Sequence, residues 1–63
     1  MNYIIFNKTI GKFIEDIKYE IMGEGVIDGV DKYIILNPDS PKNKNYCTTV
    51  SKDNKNIKEA KFY

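Results

Sequence analysis

Asp31, Lys32 and Tyr33 bring a carboxylate, a cation and an aromatic ring into one tripeptide, and Lys52 adds a second cation further along the chain. An aromatic face can stack a base, contributing about 1 to 3 kcal/mol without sequence readout, while lysine holds a phosphate as a point charge. Asp31, Lys32, Tyr33 and Lys52 are therefore the candidate ligand-binding residues, for RNA or for a small nucleotide, cyclic ones included. The competing assignment for Tyr33 is core or strand-face packing, because aromatic side chains supply large buried area. Lys42, Lys44, Lys52, Lys55, Lys58 and Lys61 form a C-terminal group that could track phosphates or simply be solvated.

Other chemistries are pruned by what the chain lacks. It has no His and no Arg, so histidine base catalysis, His-ligated zinc and the bidentate guanidinium fork are excluded. Asp28, Asp31, Asp39 and Ser40 offer oxygen ligands in an order that matches no calcium loop, so no metal site and no cofactor is assigned. Cys47 has no partner for an internal disulfide and reads as an inert thiol buried in a strand. The chain reads as a non-enzyme.

The elements that must position these residues belong to one domain, residues 1–63. The composition, 41% hydrophobic and 13% aromatic, is that of a folding chain, and its net charge of +1 names no partner. Ile10, Phe13, Ile14, Ile17 and Ile21 fall at helical spacing and predict an amphipathic helix over about 9–22. Thr9 would be its N-cap, Lys12 would pair with Asp16, and Gly23 would close it. Alternation of Ile17, Tyr19 and Ile21 is the rival strand reading.

After Gly25 the pattern turns to short β-branched and aromatic runs. Val26–Ile27, Lys32–Leu36, Tyr46–Val50 and Ile57–Phe62 are expected strands, Asp28-Gly29 a two-residue turn, and residues 3–6 a strand or a packed arm. Six acids and one Lys between Glu15 and Asp31, against six Lys and two acids from Pro41 to Tyr63, suggest an acidic and a basic side. No run is long enough to span a membrane, and no signal peptide is expected.

The segment Gly25–Leu36, GVIDGVDKYIIL, resembles the first motif of Sm-like and Hfq-like proteins through Gly25, Ile27, Gly29, Asp31, Tyr33, Ile34 and Leu36, with Ile10-Gly11-Lys12 upstream. Ile35 stands where the eukaryotic branch has a base-contacting Asn, and the second motif is absent. Val50-Ser51-Lys52-Asp53-Asn54 is its nearest approximation. The resemblance implies a small β-barrel that assembles into rings and binds RNA, with Tyr33 stacking a base and Lys52 near phosphate.

These readings combine into an α+β, β-rich fold, the helix packed on a small antiparallel barrel-like sheet of Sm or SH3 type. The expected function is a cytoplasmic, self-associating module binding RNA or a small nucleotide, with residues 57–62 as the seam between copies. A 63-residue core without a disulfide makes oligomerisation a natural expectation. The alternative is a phage or mobile-element inhibitor that blocks or sequesters a host defence factor, anti-CRISPR-like or acting as a nucleotide sponge.

Overall fold

The structure is a computed structural model that describes residues 2–63. Five antiparallel strands make up its regular structure: β1 (Tyr3–Phe6), β2 (Lys18–Ile27), β3 (Val30–Leu36), β4 (Cys47–Ser51) and β5 (Ile57–Lys61). They form one sheet in the order β4-β3-β2-β1-β5. The described residues contain no helix, and none of them could therefore cross a membrane as one. The α+β expectation is thereby overturned: the fold is all β. The sheet is also open rather than a closed barrel, because β4 and β5 are its two edges and no ladder joins them.

The expected helix over 9–22 is replaced by a loop followed by the first half of β2. A helix would have turned Ile14 and Ile17 into the core, yet they are 55% and 50% exposed. The chain instead buries Phe13, Tyr19 and Ile21, of which the last two follow the period of a strand. Local hydrogen bonds compete with helix formation here. Ile10 and Phe13 exchange backbone hydrogen bonds of 2.8 and 2.9 Å across a tight turn in which Gly11 takes a φ of +56°. Thr9 Oγ1 does accept an N–H, but from Glu15 in this loop, and Lys12 pairs with Asp39 rather than Asp16.

β2 is long because both halves of the sheet share it. Its first residues pair with β1, with Ile4 opposite Tyr19, and its remainder pairs with β3, with Ile21 opposite Ile35. Met22 is the extra residue of a bulge between Ile21 and Gly23, which bends the strand where it changes partner. The concave face so formed carries the core: Ile4, Phe6, Phe13, Tyr19, Ile21 and Ile35. Phe13 meets Tyr19 edge-on at 5.0 Å and Phe6 at 5.7 Å.

The Asp28-Gly29 turn joins β2 to β3 as its sequence suggests, both residues having positive φ, +52° and +77°. β5 closes on β1, with Tyr3 opposite Lys61. On the outer face the hydroxyl of Tyr3 donates to Glu59 while the ammonium of Lys18 lies 4.4 Å from its ring centre.

Ile35→Ala should lower stability by roughly 2 to 4 kcal/mol, because Ile35 is fully buried at the meeting of the two half-sheets. Ile17→Asp, which would be ruinous on a helix face, should stay within about 0.5 kcal/mol of wild type. Urea unfolding of both variants decides the point, and an unfolded Ile17→Asp protein would contradict this fold.

Candidate functional site

β3 places the sequence-predicted residues on opposite faces. Tyr33 lies opposite Glu24 on β2 and Val50 on β4, and its half-buried ring packs against the core. Successive strand residues alternate sides, so Asp31 shares the concave side with Tyr33 and Lys32 belongs to the other side, between Gly25 and Ser51. Lys32 is thus separated from the ring it neighbours in sequence.

Lys52 does reach Tyr33. Its backbone N–H donates to the C=O of Asp31 at 3.0 Å, extending the β3–β4 ladder, and its ammonium sits 5.2 Å from the centre of the Tyr33 ring. The same ammonium donates to Glu24 Oε2 at 2.7 Å. Glu24 is the member of this cluster that sequence reasoning missed. The only signal available was its inward register, two residues before Val26 on an alternating strand.

The hydrogen bond to Glu24 raises the pKa of Lys52 above its ordinary 10.5, with the nearby charges of Glu24, Asp31 and Tyr33 adding to the effect against partial desolvation. One face of Tyr33 is therefore covered by a cation that a carboxylate already neutralises. A base stacking on that face would have to displace the ammonium, and its phosphate would meet Glu24. The cluster can accept a planar ligand only by rearranging.

A second feature lies on the same concave surface, on the far side of Val50. An open, mostly apolar cleft of about 360 Å³ runs between β4 and the 10–13 turn, lined by Phe6, Ile10, Phe13, Ile35, Thr48 and Val50. Lys12 and Asn54 stand among its lining residues as polar groups. Its size is that of a small-ligand or single side-chain pocket. The cleft exists because the sheet is open: the 7–17 loop covers the core from one side, and β4 has no further strand beside it.

Cys47, expected to be buried, is exposed on β4. It is at the start of an edge strand, on the side of the sheet away from Thr48 and Val50. The described residues contain no cluster of three or more Cys, Asp or Glu that could hold a metal ion.

Compared with known protein families, with curated proteins and with solved structures, the chain matches none.

Three groups with raised pKa values contribute to the alkaline behaviour. Tyr3 lies above its ordinary 10.0, mainly through its hydrogen bond to Glu59, and Lys52 and Lys58 lie above 10.5, mainly through their hydrogen bonds to Glu24 and Asp16. A raised folded-state pKa stabilises the fold below the unfolded value and loses that contribution as pH rises through the folded one. Melting temperature should therefore fall between about pH 9 and about pH 12, and the Glu24→Gln, Asp16→Asn double variant should show a flatter fall over that window. Identical profiles would mean that these pairs do not persist in solution.

Proposed function

We propose that this chain is a small cytoplasmic binding module, not an enzyme, that acts by holding another protein on its open sheet. The observation that carries the reading is the free edge of β4 with an apolar cleft directly beside it. Unpaired strand edges are templates for a further strand, and concave apolar pockets with few polar groups are where partners anchor side chains. Blocking or sequestering a host defence factor, as a phage or mobile-element inhibitor does, is the form of activity this architecture supports best. Self-association is supported separately by the tip of the β2–β3 hairpin, where Val26 is 67% exposed beside Ile27 and Val30.

A second reading keeps the nucleotide. Tyr33 and Lys52 are brought together, a ring beside a cation, as binding of RNA or a small nucleotide through the Sm-like resemblance requires. Glu24 weighs against it, because it occupies the position a phosphate would need.

A photo-crosslinking amino acid at position 48, on the concave side of β4, should join the chain to another polypeptide in host lysate, and the same group at position 32, on the opposite side of the sheet, should not. Adducts from position 32 alone would overturn the protein-binding reading. So would purification with bound nucleotide together with low-salt oligonucleotide affinity lost in Tyr33→Ala and kept in Tyr33→Phe, which is the outcome the second reading expects. Light scattering at increasing concentration tests self-association, and a constant monomer mass would remove it.

A further inference from the structure

The two free edges of the sheet differ in what they present. β5 carries Lys58, Glu59 and Lys61, and such charges keep an edge from pairing. β4 reads Cys47-Thr48-Thr49-Val50-Ser51, with no charge and three successive β-branched side chains.

Its hydrogen-bond phase is fixed at both ends. The N–H of Lys52 donates to the C=O of Asp31 at 3.0 Å, and the N–H of Asn37 donates to the C=O of Tyr46 at 2.7 Å. Bonded and non-bonded positions alternate along an antiparallel pair, so Thr48 and Val50 turn their peptide groups toward β3. Cys47, Thr49 and Ser51 turn theirs off the sheet. The N–H of Asn54 takes the C=O of Ser51 at 3.0 Å. Thr49 is left at the middle of the edge with both an outward donor and an outward acceptor.

A strand added at Thr49 would lie along the cleft, since Thr48, Thr49 and Val50 are all among its lining residues. Every second side chain of that strand would face the concave side, over Phe13 and Ile35. The surrounding charge selects among such strands. From residue 41 to residue 56 there are four lysines, Lys42, Lys44, Lys52 and Lys55, and one acid, Asp53. Lys52 is engaged by Glu24, while Lys42, Lys44 and Lys55 enter none of the ion pairs among the described residues. The β5 edge of a second copy, with two lysines to one glutamate, would bring positive charge to positive charge.

We infer that β4 is the docking edge for an extended acidic segment of a partner protein, which adds to the sheet as a strand and seats a bulky apolar side chain in the cleft. This inference rests on the protein-binding reading and specifies its ligand.

The full chain can be titrated at low salt with a short synthetic peptide alternating glutamate with valine and phenylalanine, and with its counterpart carrying lysine for glutamate. The acidic peptide should bind and shift the amide resonances of Cys47, Thr49 and Phe13, and the lysine peptide should not. Thr49→Pro removes an outward N–H while sparing the β3 ladder, a position where an edge strand tolerates proline, and it should weaken binding about tenfold. Should that variant fail to fold, Cys47→Pro at the start of the strand serves the same purpose. Lys42→Glu with Lys44→Glu should weaken the acidic peptide and reduce its salt dependence. Equal binding of both peptides, blocked by Thr49→Pro, would overturn the acidic preference while strand addition stood. Binding indifferent to either proline variant, or no binding of the acidic peptide, would overturn the inference itself, and crosslinking from position 48 would still decide the broader reading.

Discussion

Tyr19 meets Phe13 edge-on at 5.0 Å and accepts the N–H of Ile14 on its hydroxyl at 2.6 Å, so one side chain of β2 fixes both a ring and a stretch of backbone in the preceding loop. The N–H of Asp16 reaches back to the C=O of Phe6 at 3.0 Å, and the loop is tied at three places over a few residues. With the loop held there, Phe13 roofs the core and Ile10 and Gly11 become one wall of the cleft. The opposite wall is β4, positioned by the β3 ladder. The cleft thus depends on two independently held elements that have no direct strand pairing.

Much of the β half of the molecule was legible in the sequence, and the reason is local. Asp28-Gly29 determines its own turn through positive φ, and the β-branched and aromatic residues of the runs around 32–36 and 46–50 favour strand, while 57–62, rich in Lys, Glu and Ala, owes its strand to pairing with β1. Residues 9–22 were misread because their apolar spacing fits a helix, while the forces that decided their structure are long-range. Ile4 opposite Tyr19 and Ile35 opposite Ile21 reward the strand, and nothing in residues 9–22 reveals those partners. Tyr33 and Lys52 were both named as ligand-binding candidates, and the β3–β4 register is what sets them beside each other. The separation of Lys32 from Tyr33 follows from strand alternation alone. The cleft was not legible at all, since its lining comes from β1, the 10–13 turn, β3, β4 and the loop after β4.

Charge shows the same contrast between sequence and space. The acidic run from residue 15 to 31 and the basic run from 41 to 63 suggest two opposed faces, yet two of the ion pairs join one run to the other: Glu24 with Lys52 at 2.7 Å and Asp16 with Lys58 at 2.9 Å. All the pairs are at least partly exposed, so they contribute little to stability. Their effect is on the field: they cancel charge beside Tyr33 and along β5, and they leave the uncommitted lysines near the ends of β4.

The sheet order also sets the sequence in which contacts can form. β2 and β3 are joined by the two-residue Asp28-Gly29 turn and β4 follows after the ten-residue loop 37–46, whereas β5 must find β1 from the other end of the chain, bringing Lys61 to Tyr3. Loop-closure entropy makes that pairing the last to be rewarded during folding, after the hairpin centred on Asp28-Gly29 is in place. The β1–β5 ladder is by the same reasoning the first to open in the native state, and its release would leave the four-strand meander β1-β2-β3-β4 with its β4 edge intact.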